Sequence, residues 1–146
     1  VEVRQAALSD QSGEREFVHR PDRIGYSHFL RATESRALPL GEVIAVRVES
    51  LDSALPSEYQ PALVKIDVEG AELEVLRGAQ ETLATFRPII VFEHGPGRPD
   101  DSAEIFELAS GAGLRIYDIN GRGPMRRQRF LDVVSEGRVW NFIARP

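Results

Sequence analysis

Asp67 and Glu69 follow the β-branched, apolar run that begins at Leu63, and Glu93 and His94 close the apolar run that begins at Ile89. Carboxylates and a histidine set just past two such runs can take a proton from a substrate hydroxyl, orient it, or supply oxygen and nitrogen donors to a divalent cation. Each has a plainer reading as well. Asp67 and Glu69 could simply be carboxylates favoured by the positive end of a helix. His94 fits a general base and equally a turn histidine bonded to the backbone.

These residues need elements that bring them to one place. Leu63, Val64, Ile66 and Val68 read as a buried strand, and Gly70 supplies the freedom for a tight strand-to-helix turn. Leu73, Leu76, Ala79, Leu83 and Phe86 recur at helical spacing, so one helix is expected to run to Phe86 and stop at Pro88. The continuous apolar run at residues 89–93 fits a strand of a parallel sheet. Parallel neighbours would put Asp67, Glu69, Glu93 and His94 on one edge, the C-terminal edge where ligands bind in open α/β sheets. Lys65, with buried strand neighbours expected, should pair with a carboxylate.

Upstream, residues 1–10 read as a strand running into a small-residue turn, and residues 14–19 as a second strand. Residues 42–48 have strand composition and are expected to pair with 14–19 as an antiparallel ribbon. Residues 20–41 lack periodicity and read as a long loop, with Tyr26, Phe29 and Leu30 packing back on the core. Ser50-Leu51-Asp52 opens a short turn or helix ending before Pro56. His19 and His28 show no partner spacing and receive no role. Downstream, Asp101-x-x-Glu104 resembles a capping box before a helical face of Ile105, Leu108, Ala109 and Ala112, ended by Gly111 and Gly113. Residues 115–119 and 139–144 read as strands. Between them, residues 121–137 read as a basic loop whose Arg122, Arg126, Arg127 and Arg129 face solvent or an anionic acceptor.

Composition bounds the function. The 146 residues suit one domain, with 42% apolar and 28% charged side chains. A net charge of -5 gives no electrostatic reason for binding nucleic acid. The absence of cysteine removes disulfides, zinc–thiolate sites and a thiol nucleophile. No apolar run approaches the roughly 20 residues that span a bilayer, so no membrane contact is expected and the default location is cytoplasmic. The start at Val1, with Met125 the sole methionine, suggests a piece of something longer.

The run KIDVEGAELEVLRGA at 65–79, with RPIIVFEH at 87–94, AALSDQSGEREF at 6–17 and RVESLDSAL at 47–55, resembles the FkbM family of S-adenosylmethionine-dependent methyltransferases. The resemblance is close over about residues 1–95. It implies an α/β fold with a Rossmann-like class I methyltransferase sheet of strand order 3-2-1-4-5-7-6, in which strand 7 is antiparallel. Residues 1–7 would be strand 3, 63–68 strand 4, 89–93 strand 5, 115–119 strand 6 and 139–144 strand 7, with strands 1 and 2 missing from this chain. The chain would be a single C-terminal portion of the domain. It would use S-adenosyl-L-methionine, with Ala7, Leu8, Ser9 and Asp10 near the cofactor and Asp67, Glu69, Glu93 and His94 catalytic. The acceptor would be a hydroxyl on a sugar or secondary metabolite. No glycine-rich turn between a strand and a helix occurs in these residues, and Gly121-x-Gly123 is too short to be one, so weak cofactor binding and an inactive isolated fragment are expected.

Two other readings stand beside this one. One is a truncated, non-catalytic domain that needs a partner or an upstream segment, with an exposed strand edge through which it could form a homodimer. The other is a metal-dependent hydrolase using Asp67, Glu69, Glu93 and His94 as ligands.

Overall fold

The computed structural model describes residues 2–30, 41–96 and 99–146. Within them the chain builds two four-stranded sheets with helices on one face of the second. The first sheet holds β1 (Ala7–Leu8), β2 (Gly13–His19), β3 (His28–Phe29) and β4 (Glu42–Glu49), in the order β1-β4-β2-β3. As expected, β2 and β4 run antiparallel, from Gly13 opposite Val48 to His19 opposite Glu42. β1 lies parallel to β4, Ala7 opposite Val48. The strand expected over residues 1–7 is much shorter than its composition suggested. Glu2, Arg4 and Gln5 are exposed, as is Val3, and Arg4 spends its guanidinium on Glu2 and the Ala54 carbonyl instead of a core. In the region read as a loop, Phe29 is buried on β3, whereas Tyr26 is exposed. The rest of that loop, residues 31–40, lies outside the described residues.

The second sheet holds β5 (Leu63–Ile66), β6 (Ile89–Glu93), β7 (Arg115–Asp118) and β8 (Asn141–Arg145), in the order β5-β6-β8-β7. β5 and β6 are parallel, with Ile66 opposite Phe92, so residues 67–70 and 94 leave the sheet at the same edge. β8 is antiparallel to both of its neighbours. Period-two alternation sends Ile66, Ile90, Phe92, Ile116, Phe142 and Ala144 into the main core. The opposite face leaves Leu63 and its cross-strand partner Ile89 exposed. Phe92 stacks on Phe142 at 5.6 Å between centroids, and Phe130 meets Phe142 edge-on at 5.1 Å.

The helix expected to reach Phe86 is broken in two, α2 (Glu72–Arg77) and α3 (Gln80–Phe86), by contacts from afar. The short α1 (Leu51–Ala54), capped by Ser50, carries Asp52. Its amide donates to the Gly78 carbonyl at 3.0 Å, and its carboxylate accepts from the Glu81 and Thr82 amides at 3.0 and 2.8 Å. Asp52 thereby caps α3 from outside, supplying acceptors that a helix N-terminus lacks. Phe86, expected on the buried face, is partly exposed at the end of α3.

The next helix, α4 (Pro99–Gly111), begins before Asp101, so the capping box does not form. Glu104 instead receives both arms of the Arg77 fork at 2.7 and 2.6 Å. The stretch read as a basic loop contains α5 (Arg127–Glu136), whose buried Phe130, Val133 and Val134 have helical spacing. Its arginines make surface pairs, Arg127 with Glu107 at 3.0 Å and Arg129 with Glu136 at 3.7 Å.

Gly78 has no room for a side chain. A β-carbon there would come within 2.0 Å of the Ser9 carbonyl oxygen, which is backbone and cannot swing away. Gly78→Ala is therefore expected to cost about 3 kcal/mol, at the upper end of overpacking effects. A urea midpoint measured beside Gly111→Ala checks this. Nothing lies within 4 Å of a β-carbon at Gly111, and alanine there should gain up to about 1 kcal/mol.

Candidate active site

A cleft of about 720 Å³ separates the two sheets. Ala7 and Leu8 of β1 and Phe17 and Phe29 of the ribbon form one wall; Val64 and Ile66 of β5 form the other. Asp67 and Glu69 line it just past β5. Its volume falls within the range of small-molecule sites, and its mostly apolar lining with few polar groups has their usual character.

Asp67 is half exposed and bonded to Lys65 Nζ at 2.9 Å, the carboxylate pairing expected for that lysine. Glu69 adopts a left-handed backbone with φ of 51°, followed by Gly70 at 93°. A left-handed conformation costs a non-glycine residue roughly 1–2 kcal/mol, and here it turns the chain sharply from strand into helix. Burial, and then the neighbouring carboxylates of Glu93, Asp67 and Glu72, raise the Glu69 pKa above the usual carboxylate value, with His28 opposing them. Glu93, half-buried at the end of β6, thus belongs to the same electrostatic group, although it does not line the cleft.

His94 is placed differently from the base expected at this edge. Successive strand residues face opposite ways, and His94 turns away from the cleft into the interior, 4% exposed and stacked against Phe130. Its Nε2 lies 2.8 Å from Ser102 Oγ, and its Nδ1 lies 3.7 Å from Glu72 Oε2. The expected cofactor group also divides. Ala7 and Leu8 line the cleft, but Ser9 and Asp10 do not. Ser9 is fully buried, its hydroxyl accepting from Arg15 at 3.1 Å and donating to Asp10 at 3.2 Å.

Sequence reasoning missed the wall formed by the ribbon. His19 and Ser27 line the cleft, and His28 lies near enough to Glu69 to oppose the rise of its pKa. Phe17 and His19 share one face of β2 by two-residue alternation, which was the signal available for them. Among the described residues, no group of three or more His, Asp or Glu side chains is arranged to hold a metal ion, and His94 is engaged with Glu72 and Ser102 instead. Among the same residues, no helix is long and apolar enough to cross a membrane.

A family model described as the methyltransferase FkbM domain matches residues 2–116. Among solved structures, the crystal structure of methyltransferase FkbM from Methylobacillus flagellatus KT superimposes with a TM-score of 0.50 at 14% identity, covering 99% of this chain. This chain spans 28% of the length of that protein. No curated protein matches the chain.

Proposed function

The chain belongs to the FkbM methyltransferase domain family, and from that premise we propose that the cleft between β1 and β5 is where a methyl donor and a hydroxyl acceptor meet. The observation that carries this reading is the joint placement of Ala7, Leu8, Asp67 and Glu69 around one cavity. S-adenosylmethionine, when bound, supplies a methyl group on a positively charged sulfonium. The residues present suit part of such a group. The small side chains of Ala6 and Ala7 leave room against an apolar wall, and Asp67 and Glu69 bring negative charge to the same cavity.

In this reading Glu69 takes the proton of the acceptor hydroxyl. Its raised pKa makes it a stronger base than an ordinary carboxylate. Asp67, steadied by Lys65, orients the acceptor. Phe17 and Phe29 shield the reacting atoms from water. Methyl transfer is an in-line displacement, so holding the two partners in register supplies much of the acceleration. A sugar or secondary-metabolite hydroxyl is the acceptor class we propose.

We further propose that, in a longer chain, two strands and a glycine-rich turn fill the space against the free edge of β5, leaving the donor site past the strand ends, beside Ala7, Leu8, Asp67 and Glu69. The sheet would then have the order 3-2-1-4-5-7-6. The order β5-β6-β8-β7 supports this as its 4-5-7-6 half, and among the described residues β5 has a strand partner on one side alone. The 146-residue chain should accordingly hold S-adenosylmethionine weakly, because each missing hydrogen bond costs on the order of 1 kcal/mol. Isothermal calorimetry should return a dissociation constant of hundreds of micromolar or weaker. A low-micromolar value would overturn the incomplete-site reading.

A further inference from the structure

Away from the cleft, one set of polar side chains lies within the apolar interior. Glu72 in the first turn of α2, His94 past β6 and Ser102 in α4 are 5%, 4% and 1% exposed. His94 joins the other two through its two ring nitrogens. With Nδ1 facing a carboxylate, the ring proton belongs on Nδ1, and Nε2 accepts from the Ser102 hydroxyl. The 3.7 Å separation from Glu72 is too long for a hydrogen bond, so the neutral ring's Nδ1–H meets the carboxylate as a charge–dipole contact. The other Glu72 oxygen accepts the Gly70 amide at 2.9 Å. That amide belongs to the turn whose left-handed residues, Glu69 and Gly70, bring the acidic edge to the cleft.

Acid, histidine and serine in this order resemble a hydrolytic triad. Here none of the three lines the cleft, and Ser102 is sealed from solvent, so no substrate reaches its hydroxyl. Stability is a poor reason for the arrangement too, since apolar side chains of similar volume often replace buried ionic groups at no loss. What the trio does supply is directional contact among three elements that share no backbone hydrogen-bond ladder: the turn into α2, the end of β6 and the start of α4.

We propose that Glu72, His94 and Ser102 form a positioning relay that pins the Glu69–Gly70 turn to β6 and α4, holding the Glu69 carboxylate at the cleft. His94 is thereby a positioning residue, acting through Glu72 and the Gly70 amide. The role given to Glu69 rests on the proposed function; the relay itself does not. Burial raises the Glu72 pKa, but the His94 contact and the Gly70 and Glu72 amides outweigh it and hold the carboxyl below its usual range. The ionised form is thus the one built into the relay.

Amide NMR of the chain tests the relay without cofactor or acceptor. In the unmodified protein, the Gly70 amide shift and the Glu72 side-chain carboxyl carbon should titrate with one common midpoint, below that of an ordinary carboxylate. Glu69 also couples electrostatically to Glu72, and a Glu69→Gln background removes it from the titration. His94→Phe keeps a ring against Phe130 but removes both nitrogens. It should raise the Glu72 midpoint and speed Gly70 amide exchange about tenfold, the loss of one charge-assisted contact. His94→Gln, which keeps a donor and an acceptor, should restore both. Separate midpoints for Gly70 and Glu72 in the unmodified chain would overturn the relay. So would a folded His94→Phe variant with both readouts unchanged.

Discussion

Replacing Phe130 with alanine is expected to remove about 3–5 kcal/mol of folding stability. The side chain is fully buried and meets Phe92, Phe106 and Phe142, at centroid separations of 6.5, 6.1 and 5.1 Å. It is the point where α5 closes over β6 and β8. Alanine would leave a cavity walled by rings already packed against a sheet, with little scope for collapse. A domain typically holds about 5–15 kcal/mol in total, so the loss is roughly a fifth or more of the whole. Urea denaturation followed by far-ultraviolet dichroism measures this. A cost under about 1 kcal/mol would mean that α5 does not seal the core.

The second large effect concerns chemistry. In a complete methyltransferase carrying this segment, Glu69→Gln is expected to lower methyl transfer by at least about 100-fold, the range for losing a general base. The readout is S-adenosylhomocysteine formed per unit time. Stability should change little, because Glu69 is an exposed turn residue. Glutamine keeps the shape and removes the charge. In the unaltered enzyme the rate should fall on the acid side, at a pH above the ordinary carboxylate range. The direction follows from the raised Glu69 pKa, since the carboxyl must lose its proton before it can accept another. Unchanged turnover in Glu69→Gln would remove Glu69 from the reaction and leave Asp67 as the carboxylate to examine.

Much of this arrangement is legible in the residues themselves. The β-branched run leading to Asp67, the glycine after Glu69 and the apolar run ending at Glu93 give two parallel strands with their acids at one edge. The antiparallel ribbon over 14–19 and 42–48 follows from alternation in the same way. What the sequence hides depends on distant partners. Asp52, nearly thirty residues upstream, divides the helical pattern at Gly78 by capping α3. The helix α4 starts before Asp101, and Glu104, expected in a local capping box, pairs instead with the distant Arg77. The helix α5 is a different case: Phe130, Val133 and Val134 carried its spacing, but the surrounding arginines made the stretch read as a solvated loop.

The site divides along the same line. Asp67 and Glu69 are legible because the turn that places them is local. His94 is not, because an exposed edge and a buried pocket beside Ser102 differ only in which face of the strand the side chain leaves from. The extent of the first strand is not legible from composition either, since a strand exists only where a neighbour is present, and among the described residues that neighbour pairs with Ala7–Leu8.

In the proposed reading, Ala7, Leu8, Asp67 and Glu69 surround one methyl-donor site. Amide NMR of the chain, titrated with S-adenosylmethionine to about tenfold above its weak dissociation constant, tests that claim most directly. The amides of Ala7 and Leu8 should shift together with those of Asp67, Val68 and Glu69, along a single saturating curve, while Ser102 and Phe130 stay still. Saturating shifts confined to another surface would contradict it.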